Sequence, residues 1–532
     1  MPVSLVIRGG LVYDGSGGDG RIADVAVDGD RVVGVGAIPP DVDAREIDAT
    51  GLAVVPGFIN TLSHAWGALQ RDGSGESDLL QGVTTEVFGE AFTPGPSTPE
   101  FVDLCKAYYA PGVRVDFSRL SEGLDFLEKS GVALNVASSI GGMNLRVIGA
   151  GFDDRRLTAP ELAVLRALVA EEMQEGALGI GTALIYPPGR FADTDELVSL
   201  CEVVADYDGV YTSHLRSEGD RFLECLDELV EISDRSGVRA EVFHLKAAGR
   251  KNWPKMLQAI DRIEAARVEG KPISANMYPY EAGGTALAAC IPPHFHEGGP
   301  VAFAERLTDP ALRTQMATEI RSESDAFENL LLAAGGGQGV LFLKNLSDGT
   351  PTAGKRLSAV AADLGLDEVD ALLEIVHRDP TVGVVYFIID PAGIELGLRQ
   401  PWVSLGSDAA AHPAAAPWTD SPTHPRTYGT FARFLGHYAR DRALMPFGEA
   451  VRRLTSQPAD VFRLAGRGRL VDGAFADVVV LDPATVADRA TFEEPHQPSV
   501  GVSHVVVNGE VVVRDGAVTG ARTGRRLRRA TA

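Results

Sequence analysis

Two short apolar runs each end on a histidine: Val210-Tyr-Thr-Ser-His214 and Ala240-Glu-Val-Phe-His244. Between them, Phe222, Leu226, Leu229 and Ile232 recur at helical spacing across Asp220 to Ser236. The reading is strand, helix, strand. In such a βαβ unit the strands are parallel, and the right-handed crossover returns both C-terminal ends to one edge of the sheet. His214 and His244 are therefore expected on a common rim, where each imidazole can offer one ring nitrogen to a zinc-type ion. A lone strand-end histidine is more often an ordinary hydrogen-bonded rim residue; the pairing favours a ligand role.

The elements that must hold this pair extend through most of the chain. Strand-like runs at Val54 to Ile59, Thr84 to Phe88, Leu134 to Ala137, Leu178 to Thr182, Val210 to His214, Ala240 to Leu245, Ile273 to Met277 and Trp402 to Leu405 alternate with helical stretches such as Ala159 to Glu175, Thr194 to Ala205 and Lys255 to Ala266. Alternating β and α over this length predicts an α/β fold, a (β/α)8 TIM-like barrel spanning residues 56–464, with catalytic groups at the C-terminal ends of its strands. Residues 283–379 break the rhythm and are expected to form an insertion or lid over the barrel mouth. The glycine run Gly335-Gly-Gly337 lacks the Gly-Lys-Ser/Thr ending of a phosphate loop. Both ends of the chain alternate apolar and polar residues, with Asp28-Gly29 and Asn508-Gly509 as hairpin turns. Residues 1–55 and 465–532 are expected to build one β-sandwich together, since neither piece has enough strands to be stable alone.

Composition bounds the function. At 532 residues, with 45% hydrophobic and 23% charged residues, the chain suits a large α/β domain plus a smaller one. A formal charge of −24 argues against a nucleic-acid partner, and no apolar run approaches the length of a membrane span. The start Met-Pro-Val-Ser-Leu-Val-Ile-Arg lacks the features of a secretory leader, so a cytoplasmic protein acting on a small molecule is expected. Four scattered cysteines, Cys105, Cys201, Cys225 and Cys290, suggest neither a disulfide framework nor a cysteine metal knot. The arginine-rich stretch Arg522 to Arg529 reads as a solvated end.

The stretches Ala183-Leu-Ile-Tyr-Pro-Pro-Gly-Arg-Phe-Ala, His214-Leu-Arg-Ser-Glu-Gly-Asp, His244-Leu-Lys-Ala-Ala-Gly-Arg-Lys-Asn-Trp, Met277-Tyr-Pro-Tyr, Gly406-Ser-Asp and His424-Pro-Arg-Thr-Tyr-Gly-Thr-Phe resemble the N-acyl-D-amino-acid deacylases of the amidohydrolase superfamily. The resemblance runs nearly the whole length, including Pro56-Gly-Phe-Ile at the first barrel strand. It implies a metal-dependent barrel that hydrolyses the linear amide of an N-acyl-D-amino acid. It also implies that His214 and His244 bind the metal and that Asp408 handles the proton of the attacking water. A zinc ion lowers the pKa of bound water to roughly 7, and a neighbouring carboxylate can take that proton and later give it to the leaving amine. Lys246 lies two residues past His244, and with Tyr186, Arg216 and Tyr278 it is expected to face the substrate, a cation there suiting a free carboxylate. The alternative readings are a solvated Lys246 and an Arg216 that pairs structurally with Glu218. His424 and Arg426 are expected to anchor the following helix.

The chain departs from the family where the first barrel strand should read Asp-x-His-x-His. It reads Asn60-Thr-Leu62-Ser-His64, and the second-strand position held by a bridging cysteine falls on Ala91, with Glu90 just before it. An alkyl side chain cannot ligate. Glu90 is expected to complete a His₂Glu set with His214 and His244, an accepted catalytic zinc arrangement, with about one Zn²⁺ per chain; His64 is a further candidate ligand and Glu86 a fallback, otherwise paired with an internal lysine or arginine. Two other readings stay open: a cyclic amide or imide hydrolase on the same barrel, and a metal-free binding or scaffold protein.

Overall fold

The computed structural model describes residues 3–40, 42–106, 109 and 112–530, so Met1 and Pro2 of the expected non-secretory start lie outside it. Strands Phe58–Asn60, Val83–Phe88 and Asn135–Ser138 form one parallel sheet. Ile140–Gly141, Gly179–Ala183, Val210–His214, Arg239–Val242, Ile273–Met277 and Val403–Leu405 form a second, also parallel throughout. The two sheets meet on both sides. Ser138 runs directly into the Ile140 strand and accepts at its carbonyl from Leu178 N (3.0 Å); at the other edge Thr61 N donates to Leu405 O (3.2 Å) and Asp408 N to Leu62 O (2.8 Å). These strands are buried on both faces, with apolar residues against the covering helices and polar ones such as Glu86, Glu241 and Asn276 also buried.

The helices carry their own stop and start signals. Ala159–Gln174 opens on a capping box between Thr158 and Glu161, which satisfies two of the orphan amide groups of the first turn. Phe222–Ser236 buries Phe222, Leu226, Leu229 and Ile232, the stripe read from the sequence, and ends on Gly237 in the left-handed region.

The two chain ends form a single nine-stranded sheet. Its path is continuous from the C-terminal strands through Val478–Leu481 to Ala53–Pro56, then Leu5–Val12, Arg21–Asp28 and Arg31–Gly36. This corrects the expectation of two stacked sheets: the antiparallel pairing of Val478–Leu481 with Ala53–Pro56 joins the halves by hydrogen bonds. The sheet nevertheless encloses one apolar cluster drawn from both ends, including Val25, Val27, Val478, Val480 and Val506. The Asp28-Gly29 and Asn508-Gly509 turns lie where the sequence placed them, with Asn508 and Gly509 both at positive φ.

The arginine-rich stretch is docked along the barrel instead of forming a free end, although the Arg522, Arg525 and Arg528 side chains are exposed. It runs along Asn135–Ser138, with Gly524 N donating to Val132 O (2.8 Å) and Leu527 N to Val136 O (2.8 Å), and Arg529 is buried. An exposed strand edge supplies amide and carbonyl partners that no charge pattern reveals. Within 283–379, Gly283–Ala286 and Val340–Phe342 flank Gly383–Tyr386 in a small antiparallel sheet, and Gly283, Gly284, Thr285 and Leu330 reach the cavity described next. All four cysteines are buried and unpaired, and no helix among the described residues is long and apolar enough to cross a membrane.

Candidate metal centre

The site is assembled just past the strand ends. Glu90 lies two residues beyond Val83–Phe88, His214 closes Val210–His214, His244 lies two residues beyond Arg239–Val242, and Asp408 lies three residues beyond Val403–Leu405. Ala91, His244 and Asp408 have positive φ (60°, 35° and 51°). Such left-handed backbone costs of order 1–3 kcal/mol per non-glycine residue and gathers where a side chain must be aimed. Here it turns the chain off each strand end into a shared cavity of about 160 Å³.

Two carboxylates bracket the histidine pair. Glu90 Oε1 lies 2.9 Å from His214 Nδ1 and 3.3 Å from His244 Nε2; on the far side Glu218 lies 3.0 Å from His244 Nδ1 and 3.6 Å from His214 Nε2. His214 Nε2 is buried without a hydrogen-bond partner. Lys246 donates to Glu218 Oε1 (2.6 Å) and to the His244 carbonyl (3.1 Å), with Nζ also 2.8 Å from His244 Nδ1. Glu218 and the Lys246 ammonium both lie against His244 Nδ1, so Nε2 is the nitrogen left to face Glu90.

A second group continues from the first. His64 Nε2 lies 3.1 Å from Glu90 Oε2 and 3.0 Å from Asp408 Oδ1, and Arg426 donates to Asp408 Oδ2 (2.7 Å). Glu90 thus offers one oxygen to His214 and His244 and the other to His64. The charges follow these contacts. Burial would raise the Glu90 carboxyl, but His244, His214 and His64 hold it well below the usual range. Burial also works against ionised Glu218, and Lys246 with the two histidines brings it down to about 2. Asp408 is lowered despite its burial, chiefly by Arg426 and then His64. Burial and the Lys246 ammonium push His244 down, yet Glu218 and Glu90 raise it to about 9.

The donors fit a zinc-type ion. Glu90, His214 and His244 present ligand atoms all within 4.8 Å of one another, as do His64, Glu90 and Asp408. Ligands about 2.0–2.2 Å from one zinc at tetrahedral angles lie roughly 3.3–3.5 Å apart, near the separations seen here, and two imidazoles with one carboxylate leave a fourth position open.

The other expected residues divide. Lys246, Tyr186 and Tyr278 line the cavity; the Tyr186 ring packs edge-on to His214 (5.3 Å) and Tyr278 to His244 (6.3 Å). Lys246 is buried and ion-paired, not solvated. Arg216 is a correction: its guanidinium points away from the cavity to Glu228 (2.9 Å) and the carbonyls of Arg190 and Ala192. Its expected structural partner, Glu218, pairs with Lys246 instead. Glu86 lies deeper and pairs with no cation; Asn60 Nδ2 donates to it (3.0 Å) and to Asp78 (3.1 Å). His424 anchors its loop as expected, its ring bridging Ala282 O (2.9 Å) and Arg426 N (3.0 Å). Arg426 does more than anchor, because it reaches Asp408 and lies over Tyr278 at 4.6 Å.

Comparison with known proteins agrees with this architecture. A family model described as "Amidohydrolase family" matches residues 395–513. D-aminoacylase from Alcaligenes xylosoxydans xylosoxydans is 33% identical over 540 residues, covering 100% of this chain and 99% of the relative. A crystal structure of D-aminoacylase superposes with a TM-score of 0.82 at 32% identity, covering 99% of this chain and 100% of that one. The N-acyl-D-glutamate deacylase of Bordetella bronchiseptica, solved with zinc and a phosphonate mimic of the tetrahedral intermediate, gives 0.81 at 28% identity with the same coverage. The TIM barrel with a separate sheet domain is the shared fold. With full-length likeness of this extent, the chain belongs to the N-acyl-D-amino-acid deacylase family of the amidohydrolases.

Proposed function

We propose that this protein hydrolyses the amide bond of N-acyl-D-amino acids, with one zinc ion held by Glu90, His214 and His244 and with His64 beside it. The observation that carries the reading is the Glu90 carboxylate, which stands within 2.9 Å and 3.3 Å of the two strand-end imidazoles. It supplies the third donor at a site where the family's cysteine position holds Ala91. When bound, the ion supplies Lewis-acid activation of water and of the amide carbonyl.

Asp408 takes the proton of the attacking water and passes it to the amide nitrogen as the carbon–nitrogen bond breaks, giving a carboxylate and a free D-amino acid. Arg426 and His64 keep Asp408 ionised and aim it at the cavity. Lys246 and Tyr278 face the carboxylate of the amino-acid half, Arg426 supports them from behind Tyr278, and Tyr186 closes the wall beside His214. The eight parallel strand positions form a (β/α)8 barrel over residues 56–464. Residues 1–55 and 465–532 form the second domain, and 283–379 is a lid on the barrel mouth. The protein works in the cytoplasm on a small molecule.

The test is elemental analysis of wild type and Glu90→Ala, followed by assay of N-acyl-D-amino acids. About one zinc per chain in the wild type, lost together with hydrolysis in the variant, is the expected outcome. A wild type that retains no metal after incubation with zinc would overturn the reading, and ring opening of a cyclic imide without cleavage of any linear amide would redirect it.

A further inference from the structure

A second cavity of about 400 Å³ opens off the metal centre, and the two share His64, Glu90 and Ala91. Its walls are aromatic. Trp66, Phe92 and Tyr109 form one side, with Trp66 and Tyr109 packed edge to face at 5.5 Å. Trp418 forms the other, stacked on His412 at 5.0 Å with 7° between the rings, and His412 is itself fixed by Tyr428 Oη at 3.1 Å from Nδ1. Between the walls lie Gly67, Ala68, Ala91, Val113 and Ala410, and the Arg71 guanidinium lies 4.5 Å over the Trp418 ring. The His64 side chain, at 40% exposure, is the most open member of the centre.

From this continuity we propose that the aromatic cleft is the acyl subsite and that the preferred substrates carry an aromatic acyl group, such as phenylacetyl, in place of acetyl. The inference rests on the hydrolase reading above and names its acyl class. The scissile carbonyl must lie beside Glu90, His214 and His244 with Asp408 in reach. The smaller cavity offers Lys246 and Tyr278 to the amino-acid carboxylate, and its wall of Ile185, Leu330 and Ile388 suits an apolar side chain. The acyl arm leaves the carbonyl in the other direction, past His64 and Ala91, into the larger cavity. An acetyl group would leave that space to water. A flat ring would meet Trp66, Phe92 and Tyr109 on one side and the Arg71 guanidinium lying over Trp418 on the other, gaining aromatic and cation–π contact beyond area alone, and the braced walls have little freedom left to lose. The chemistry is unchanged: water adds to the carbonyl carbon, the carbon–nitrogen bond breaks, and the nitrogen receives a proton, releasing the aryl carboxylate and the D-amino acid.

The experiment compares N-acetyl-, N-octanoyl- and N-phenylacetyl-D-leucine on zinc-loaded wild type and on Val113→Trp, which narrows the cleft from its outer wall. Calorimetric titration of the wild type with phenylacetate and with acetate runs in parallel. The expected kcat/KM for the phenylacetyl substrate exceeds that for acetyl by about tenfold or more, the scale on which a pocket separates apolar groups, and Val113→Trp shrinks that ratio by a similar factor. Phenylacetate is expected to bind measurably where acetate does not. Equal or better turnover of N-acetyl-D-leucine would overturn the acyl assignment while leaving the hydrolase reading intact. A clear preference for the octanoyl substrate would overturn the aromatic class. If no N-acyl-D-leucine is cleaved, phenylacetate binding decides: binding keeps the aromatic subsite and removes the hydrolase, and no binding removes both.

Discussion

Glu218 touches both histidines without being placed to ligate, and it is the residue whose removal should separate orientation from coordination. Its carboxylate lies 3.0 Å from His244 Nδ1 and neutralises Lys246. Outer carboxylates of this kind are typically worth 10–100-fold in metal affinity. Glu218→Gln should weaken zinc binding by about that factor, measured by competition with a chromogenic chelator. It should also destabilise the fold, because a buried ammonium loses its partner at a cost of roughly 3–5 kcal/mol. The double variant Glu218→Gln, Lys246→Met should recover most of that stability and none of the affinity; recovery of both would make Glu218 a mere ion-pair partner. His214 and His244 stand out in the sequence because their strand ends announce themselves by periodicity, and Asp408 because the family resemblance implies its role. Glu218 reads there only as a partner of Arg216 and Arg426 only as a helix anchor, because the groups they meet lie in other loops, and Arg216 is misplaced, since loop residues past His214 no longer follow strand alternation.

At the scale of the strand, Glu241 makes the support beneath His244 sensitive to pH. It is fully buried within Arg239–Val242 and accepts from Ser274 Oγ and Asn276 Nδ2, both at 2.8 Å; Asn276 Oδ1 in turn accepts from the His244 amide (2.8 Å). Burial raises its carboxyl to about 7, with the two hydrogen bonds only partly offsetting it. A carboxyl that holds its proton more tightly when folded stabilises the fold fully below the unfolded pKa, near 4.5, and that contribution is lost as pH rises through about 7. The whole effect is at most about 3 kcal/mol. Glu241→Gln should therefore flatten the stability profile between about pH 4.5 and 7 and make the variant the more stable protein at pH 8, as read by denaturant melts. A variant with the wild-type slope would assign that pH dependence to other groups. Most of the barrel strands were legible, within a residue or two, from their short apolar runs, but Ala240 to Leu245 overran its strand by three residues and Val54 to Ile59 merged Ala53–Pro56 of the terminal sheet with the barrel strand Phe58–Asn60. The single terminal sheet was not legible, because pairing between residues 53–56 and 478–481 is set by topology and leaves no mark on either segment alone.

For the whole molecule, the decisive joint lies between the barrel and the terminal sheet, and the C-terminal stretch is its fastener. Asn135, on a barrel strand, donates to Asp477 (3.2 Å), accepts from Asn508 (2.8 Å) and accepts from the Arg525 amide (3.1 Å). Arg467 closes this buried network through Asp477 and Asn508. The chain then runs on beside Asn135–Ser138 and past it, making five backbone hydrogen bonds through Gly524, Arg525, Leu527, Arg529 and Ala530, with Arg526 paired to Asp125 and Arg525 to Asp30. Positive charge in this stretch reads as solvation in one dimension, but an overall charge of −24 supplies acidic partners wherever the fold brings the stretch back. At about 1 kcal/mol for each backbone hydrogen bond, deletion from Arg522 onward should cost roughly 5 kcal/mol, and the exposed edge at Asn135–Ser138 should promote self-association. Calorimetry should show a lower Tm, with any separate early transition belonging to the terminal sheet. Zinc content per folded chain should stay at the wild-type value, since no residue of the centre lies within reach of the deleted segment. An unchanged Tm would show that the sheet and barrel hold together through Asn135, Asp477 and Asn508 alone.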